Sequence, residues 1–291
     1  MFTPSLVPYL DHPTLEELDA RSRSEILTRH LYQYLNFTAN LEPTIVNRGV
    51  HRIAFQHLPL EADSELRLDA LKIYTDEGYH ALFCVDLINQ VERATQIIDV
   101  PYQFTPYIAN LDAITAQLLP GNRMLGEILQ VVIFETAVSA ILSDLPKDPN
   151  LATAVAAVVR DHMEDEKLHH AFFVRLFPRL WESLDNSLKI LAARALPRLI
   201  VEEIKPYSAP IKLALMAVGL TRSAAADVLS DTYTEQQARE YAQHVARYTV
   251  ALFARTGVLD IPGAAEAFAA EGLLPKPSQT SSTTKEMSHG D

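Results

Sequence analysis

Two copies of an Asp-Glu-x-x-His motif occur in the sequence. The first occupies residues 76–80 and the second residues 165–169. On an α-helix, positions i and i+3 lie on the same face, so each motif can direct one carboxylate and one imidazole to the same point. The pairs are Glu77 with His80, and Glu166 with His169. Two such helices packed against each other could hold a pair of metal ions between them, provided that other helices supply further carboxylates.

Two glutamates on other stretches are candidates for those carboxylates. Glu135 interrupts the apolar run 131–138. An unpaired ionised carboxylate is very costly to bury in such a run, and a metal ion would remove that cost. Glu42 precedes Glu77 by about the span of a helix, a connection and part of the next helix. As a solvated residue beside Pro43 it would need no explanation, so for Glu42 both interpretations stay open.

A third histidine extends the second motif. His162, Glu166 and His169 are spaced i, i+4 and i+7, which places them on one helical stripe. An ordinary surface or core histidine is the alternative for His162. Mixed carboxylate and imidazole ligation suits iron or manganese, and the absence of cysteine ligands argues against structural zinc or an iron–sulfur cluster. We expect Asp76 and Asp165 to accept hydrogen bonds from the second ring nitrogens of ligating histidines.

Four neighbouring side chains have simpler interpretations. His170 falls about 100° off the ligand stripe, so we expect it to be solvated or packed. Cys84 lies one turn after His80, and a buried thiol acting as a small apolar group is favoured over a cavity-lining one. Tyr74 and Thr136 could support ligands, but plain packing is the favoured interpretation for both.

Helical periodicity dominates the chain, which predicts an all-α fold. The two motifs and the two further glutamates would require a four-helix bundle with a dinuclear metal site, and the remaining helices would lie at its periphery. From residue 275 the composition shifts to Pro, Ser, Thr, Lys and Gly, which predicts a disordered C-terminal tail over 275–291 after a single helical domain over 1–274. Proline and capping positions predict helices at about 13–36, 40–57, 63–96, 107–118, 122–143 and 150–176, with further helices within 184–272.

Composition excludes several classes of protein. The formal net charge is −12, which disfavours a basic surface for nucleic acid. Cys84 is the only cysteine, so no internal disulfide can form and a reducing compartment is compatible. No stretch approaches the ~18 uninterrupted apolar residues of a membrane span, and the N-terminus lacks the features of a signal peptide. We therefore expect a cytoplasmic protein that binds neither nucleic acid nor membrane.

The order of the motifs resembles that of a known family. The order is Glu, then Glu-x-x-His, then Glu, then His-x-x-x-Glu-x-x-His, as in the non-haem di-iron N-oxygenases typified by para-aminobenzoate N-oxygenase. The third histidine distinguishes that family from ferritins and from ribonucleotide reductase small subunits. The resemblance covers about residues 20–255 and implies a ferritin-like fold, often dimeric. It assigns the metal-ligand and catalytic roles to Glu42, Glu77, His80, Glu135, His162, Glu166 and His169.

The resemblance also implies a chemistry. Two iron ions, cycling between Fe2+ and Fe3+ with an external electron donor, would bind dioxygen as a peroxo-di-iron species. That species would oxidise a small-molecule amine to a hydroxylamine, with nitroso and nitro products after further oxidation. The partners implied are an amine substrate, an electron-transfer protein or reductant, and a second copy of the chain in a homodimer. The pathway would be one of natural product biosynthesis.

Two other functions use the same residues. One is a di-iron hydroxylase, desaturase or oxidative-rearrangement enzyme that acts on carbon. The other is a non-catalytic iron-binding protein. For an aromatic acid substrate, a cation near the pocket would help, and the sequence offers Arg48, Arg52, Arg123 and Arg160, although ordinary surface arginine is the favoured role of each.

Overall fold

The computed structural model describes residues 2–55, 63–100, 102–142 and 151–275, and within these ranges it contains helices and no strand. The all-α prediction is therefore confirmed. The α-helices, in chain order, are α1 Pro13–Glu16, α2 Ala20–Leu41, α3 Asn47–Ala54, α4 Ser64–Thr95, α5 Thr105–Leu118, α6 Arg123–Leu142, α7 Thr153–Ser183, α8 Asn186–Ile204, α9 Ser208–Ala217, α10 Arg222–Thr232, α11 Glu235–Arg255 and α12 Ala264–Ala270.

Four of these helices form a ferritin-like bundle around the middle of the molecule. Helix α4 packs against α2 and α7, and α6 packs against α7. Helix α6 is apolar on most of its faces, and its residues Ile128, Leu129, Val131, Val132 and Ile133 are fully buried. A helix with apolar side chains all round is stable only when other helices cover it, which explains why α6 lies inside the bundle.

Local signals determine where the bundle helices begin and end. Asp63 caps α4 by accepting a hydrogen bond from the backbone N–H of Leu66 at 2.8 Å, and Gln96 ends the helix in the left-handed conformation with φ 61°. Both ends agree with the predicted helix over 63–96. Asp19 caps α2 in the same way through the N–H of Ser22.

Some predicted boundaries were wrong. The helix expected over 13–36 is interrupted, because Asp19 has an extended backbone and starts a new helix. The helix expected to end before Pro178 continues through this residue to Ser183. Pro197 likewise lies inside α8. Other predictions lie outside the described residues: that Pro59 ends one helix, that Pro146 and Pro149 end another, that Asn150 begins the next, and that the chain from 276 onward is a tail.

The C-terminal helices extend the bundle. Helix α11 packs against α6, and α8 packs against α5, α6 and α12. Trp181, at the end of α7, stacks on Phe177 with ring centroids 5.9 Å apart and is 5% exposed. The ring centroid of Phe177 in turn lies 4.6 Å from that of Phe253 on α11. These aromatic contacts join the peripheral helices to the bundle core. Across the described ranges, no helix is both long and apolar enough to cross a membrane.

Candidate metal centre

All seven side chains that the sequence singled out meet at one buried point. Each is at most 2% exposed, and four helices of the bundle supply them. They are Glu42 at the end of α2, Glu77 and His80 from α4, Glu135 from α6, and His162, Glu166 and His169 from α7. Glu42 is therefore not the solvated residue that its position beside Pro43 could have made it, and His162 is not a surface histidine.

The seven side chains form two overlapping groups. The first group comprises Glu42, His80, His162 and Glu166, and their potential ligand atoms lie within 4.8 Å of one another. The two oxygens of Glu42 approach different imidazoles: Oε2 is 3.1 Å from His80 Nδ1 and Oε1 is 3.0 Å from His162 Nε2. Glu42 therefore bridges the histidines of two helices.

The second group comprises Glu77, Glu135, Glu166 and His169, within the same 4.8 Å limit. His169 Nδ1 is 3.1 Å from Glu77 Oε1, 3.3 Å from Glu166 Oε1 and 3.7 Å from Glu135 Oε2. Glu166 Oε1 also lies 3.4 Å from His162 Nε2. Because Glu166 belongs to both groups, the arrangement is that of two adjacent positions with a carboxylate between them.

Each imidazole directs one ring nitrogen into the cluster, and its other ring nitrogen contacts a side chain outside the cluster. His80 Nε2 is 3.3 Å from Asp165 Oδ2, and His169 Nε2 is 3.3 Å from Asp76 Oδ2. The predicted hydrogen bonds from the histidines to Asp76 and Asp165 are therefore present, and each aspartate accepts from the histidine of the other motif. A carboxylate in this position fixes the orientation of an imidazole and increases its basicity as a ligand.

The third histidine has a partner that the sequence analysis missed. The Tyr34 hydroxyl lies 3.4 Å from His162 Nδ1, which leaves His162 Nε2 facing Glu42. Tyr34 and Glu42 are eight residues apart, about two helical turns, and this spacing was the available signal. Tyr34 thus does for His162 what the two aspartates do for His80 and His169.

A short π-helical segment places Glu42. Residues Glu42–Val46 form one π-turn between α2 and α3, and the N–H of Asn47 bonds to the carbonyl of Glu42 five residues earlier. Pro43 has no N–H, and its ring clashes with the preceding turn of an α-helix, so the chain widens there. The predicted helix over 40–57 therefore starts as a π-turn, which turns Glu42 toward the bundle.

Burial and proximity of like charges dominate the electrostatics. Burial raises the pKa of Glu135 well above its usual range, and the charge of Glu166 adds to this. Burial, with the nearby charge of Glu42, raises the pKa of Glu77 to about 7. Burial favours the protonated form of Glu166 too, but the imidazoles of His162 and His169 outweigh this effect and lower its pKa. Burial and like charge thus disfavour the ionised forms of Glu77 and Glu135, whereas the imidazoles favour the ionised form of Glu166.

The donor set fits two metal ions. Several buried atoms that point into the cluster have no hydrogen-bond partner among the described residues: Glu77 Oε1, both carboxylate oxygens of Glu135 and of Glu166, His162 Nε2 and His169 Nδ1. These atoms lie close together but do not have hydrogen-bond geometry, as expected of ligand atoms that point at a shared metal ion. Buried polar atoms without partners cost free energy, and coordination would satisfy them.

None of the remaining candidates joins the cluster, and all but Tyr74, which is exposed and not packed, agree with the simpler interpretations. Cys84 is buried, and burial raises the pKa of its thiol. Tyr74 is 42% exposed. The Thr136 hydroxyl bonds to the Val132 carbonyl and to the Thr249 hydroxyl, which is a packing role. His170 is half-buried, with its ring against Tyr248.

A cavity of about 380 Å3 leads to the cluster. Glu42 and His162 form its inner end, and Tyr34 lies beside them. Aromatic side chains form much of the wall, and Phe37 stacks on Phe134 with ring centroids 6.2 Å apart. A small organic molecule in this cavity would therefore lie mainly against apolar surface, close to the first group of ligand atoms.

None of the four arginines proposed as substrate cations lines the cavity. Arg48 makes a two-point contact with Asp112, with both distances 2.8 Å. Arg52 and Arg123 both bond to Glu127 at 2.9 Å. Arg123 and Arg160 are exposed, as expected of surface arginines, whereas Arg48 and Arg52 are partly buried in ion pairs.

A ferritin-like helical bundle whose four central helices direct carboxylates and imidazoles to one buried point defines the class of dinuclear metal-binding bundles. Within that class, the chain belongs to the AurF family: the family model described as p-aminobenzoate N-oxygenase AurF matches residues 1–257. The chain is also similar to 4-aminobenzoate N-oxygenase of Streptomyces thioluteus, with 20% identity over 219 residues. That match covers 74% of this chain and 65% of the relative, which is just under two thirds of the relative's length.

Proposed function

We propose that this protein is a non-haem di-iron oxygenase that uses dioxygen to oxidise the amine nitrogen of a small metabolite. The observation that supports this most directly is the pair of buried ligand groups that share Glu166. Membership of the AurF family supports the choice of nitrogen over carbon as the atom oxidised. The first product would be a hydroxylamine, and further oxidation would give nitroso and nitro compounds.

Each of the two metal positions would be held by carboxylates and imidazoles together. Glu42, His80 and His162 would hold one ion, Glu77, Glu135 and His169 would hold the other, and Glu166 would contact both. Bound iron would supply the redox chemistry that activates dioxygen. Each oxidation of an amine to a hydroxylamine consumes one dioxygen, two electrons and two protons and releases water, so an external reductant or electron-transfer partner is required.

The protein's own contribution is orientation and exclusion of water. Asp76, Asp165 and Tyr34 hold the three imidazoles in fixed orientations through their second ring nitrogens. The walls of the cavity, including Phe37 and Phe134, would hold the amine against the Glu42 end and away from bulk water. An amine on an aromatic or a short aliphatic skeleton fits walls of this chemistry.

Three further expectations belong to this proposal. The name of the Streptomyces relative suggests an aminobenzoate-type amine as the first substrate to try. The homodimer and the cytoplasmic location also remain predictions. Size-exclusion chromatography with light scattering would test the first of these two, and fractionation of cells that produce the protein would test the second.

The direct test is metal loading followed by reaction with oxygen. We expect purified protein incubated anaerobically with Fe2+ to retain two iron ions per chain. It should then consume oxygen when mixed with reductant and a tray of aryl and aliphatic amines, with hydroxylamine, nitroso or nitro products identified by mass spectrometry. Retention of fewer than two ions, or oxidation of carbon instead of nitrogen, would contradict the proposal.

A matched pair of variants on α7 controls this test. Glu166→Gln should lose iron and product formation, because Gln provides no anionic oxygen between the two positions. Glu164→Gln makes the same chemical change two residues earlier, on the exposed face of the same helix, and should keep both. Equal iron content in the two variants would remove Glu166 from the site.

A further inference from the structure

A carboxyl group that the metal centre does not use lies in the wall of the cavity. Glu203, in the last turn of α8, is 6% exposed and lines the cavity. Neither of its carboxyl oxygens has a hydrogen-bond partner among the described residues. Its backbone is anchored independently, because the Tyr107 hydroxyl donates to the Glu203 carbonyl at 2.7 Å. The backbone of Glu203 is therefore fixed, and both carboxyl oxygens remain available to a ligand.

Among the described residues that line the cavity, no Lys or Arg is left to pair with Glu203. Lys205 is the one Lys or Arg among the described residues that line it, and its Nζ is bonded to Glu202. Arg198 contacts the same Glu202 carboxylate at 2.5 Å. Arg48 is held by Asp112 and Gln130. Lys205 and Arg198 are thus paired with Glu202, and Arg48 is paired with Asp112.

Burial raises the pKa of Glu203 well above its usual range, and Arg48 opposes this only in part. The surroundings therefore favour the neutral acid over the carboxylate, and the neutral acid has one O–H to donate and oxygens that accept. A ligand that brings N–H or O–H groups would satisfy those oxygens, and a cationic ligand would allow the carboxyl to ionise beside it. A ligand carboxylate would instead bring a second acid into a cavity whose one described Lys or Arg is already paired.

We propose that Glu203 is a specificity-determining residue that selects amines whose far end carries a hydrogen-bond donor, such as an aminomethyl, amide or hydroxyl group, over amines whose far end is a carboxylate. This inference rests on the proposed function, since it assumes that the cavity holds the amine to be oxidised. The amine to be oxidised would face Glu42 and His162, and the donor group would face Glu203. The substrate class would then differ from the aminobenzoate in the name of the relative.

Binding of four matched anilines tests this assignment separately from catalysis. The compounds are 4-aminobenzylamine, 4-aminobenzamide, aniline and 4-aminobenzoate. Their dissociation constants would be measured by calorimetry on the iron-loaded protein without oxygen. We expect 4-aminobenzylamine to bind at least about tenfold more tightly than 4-aminobenzoate, with 4-aminobenzamide in between.

The Glu203→Gln variant identifies the residue responsible. It is nearly isosteric, and it still accepts a hydrogen bond but cannot carry charge. We expect about a tenfold loss of affinity for 4-aminobenzylamine, a smaller loss for 4-aminobenzamide and almost no change for aniline. Glu240→Gln is the control, because it removes a carboxylate from the exposed surface of α11 and should leave all four constants unchanged.

The outcomes separate the two proposals. Tighter binding of 4-aminobenzoate than of 4-aminobenzylamine would overturn the assignment, as would an unchanged 4-aminobenzylamine constant in Glu203→Gln or the absence of millimolar binding by all four compounds. Oxidation of 4-aminobenzoate in preference to the other compounds would support the oxygenase and overturn the role of Glu203. The predicted order of binding without oxidation of any compound would support the selectivity of the cavity and contradict the oxygenase.

Discussion

His162 separates this cluster from a bundle site with two histidines. Its Nε2 lies 3.0 Å from Glu42 and 3.4 Å from Glu166, so its removal leaves the first group with a single imidazole. We expect His162→Ala to lower the affinity for one of the two iron ions by at least about tenfold while the other ion is retained. Elemental analysis of the protein after gel filtration would measure the number of ions per chain.

The neighbouring His170 provides the control for that measurement. It lies on the same helix, but its ring packs against Tyr248. His170→Ala should therefore keep two ions per chain. Loss of an ion from His170→Ala, or none from His162→Ala, would show that the ligand stripe has been assigned to the wrong face of α7.

Glu135 shows that, in the absence of metal, the ligand cluster lowers the stability of the folded protein. Both of its carboxyl oxygens are buried without a partner, and burial raises its pKa. In metal-free protein, Glu135→Leu should increase the free energy of unfolding by about 1–3 kcal/mol, because an apolar side chain of similar size replaces an unsatisfied polar group. Urea unfolding in the presence of a chelator would measure this difference. The same variant should gain less stability from added Fe2+ than the unmodified protein does, because only the metal position that does not involve Glu135 keeps all its ligands.

The ligand cluster could be predicted from individual residues, because the residues within each motif that identifies it are separated by only a few positions in the sequence. Two Glu-x-x-His repeats, an acid in an apolar run and a histidine one turn before the second motif are visible in the sequence without knowledge of the fold. Tyr34 and Glu203 were not found. Their significance depends on which helices lie beside one another, since Tyr34 reaches a histidine 128 positions away and Glu203 borders a cavity that has no local signature.

At the scale of the elements, two glycines show opposite environments. A Cβ on Gly49 of α3 would lie 2.5 Å from Val131 Cγ1 and 3.1 Å from the Glu127 carbonyl of α6, whereas one on Gly78 of α4 would meet nothing within 4 Å. Gly49→Ala should therefore destabilise the protein by about 1–3 kcal/mol through overpacking. Gly78→Ala should stabilise it by up to about 1 kcal/mol, because alanine has the higher helix propensity.

Thermal unfolding of the two variants beside the unmodified protein would measure both effects in one experiment. A Gly49→Ala variant as stable as the unmodified protein would mean that α3 and α6 can move apart. That result would also weaken the placement of Glu42, because the π-turn that carries Glu42 leads directly into α3.

Long helices with a clear cap were predicted well, and irregular turns were not. Helix α4 agreed at both ends because Asp63 is a strong capping residue. The π-turn at Glu42–Val46 could not be derived, because a proline in a helical sequence is compatible with a kink, a stop or a widened turn. Packing of α2 and α3 against the bundle decides among these possibilities.

At the scale of the whole molecule, the N-terminal segment and the bundle meet at a partly buried histidine, His30. The Tyr9 hydroxyl lies 2.9 Å from His30 Nδ1 and shares a hydrogen bond with it, in which the tautomer of the ring decides which group donates. Burial lowers the pKa of His30 from 6.5 to about 4. The unfolded chain therefore binds more protons than the folded chain between these values, and stability falls as the pH decreases through this range.

A comparison with His30→Gln isolates this contribution. At pH 7.5 the unmodified protein should be the more stable of the two. That advantage should decline by roughly 1.4 kcal/mol per pH unit between about pH 6 and pH 4.5. Urea unfolding of metal-free protein at several pH values would measure both curves. A difference between the two proteins that does not change with pH would show that the folded protein does not hold His30 in a neutral form.

The only tryptophan of the chain is Trp181, and its place against Phe177 has a practical consequence. It lies twelve residues beyond His169 on α7, or about 18 Å along the helix axis at 1.5 Å per residue. Its emission should therefore be that of an indole in an apolar environment and should shift to longer wavelength only when the far half of the bundle opens. If the tryptophan emission of a chelator-treated sample stays at short wavelength, any loosening of the helices is confined to the end that carries the metal ligands. The single tryptophan therefore distinguishes local opening at that end from global unfolding.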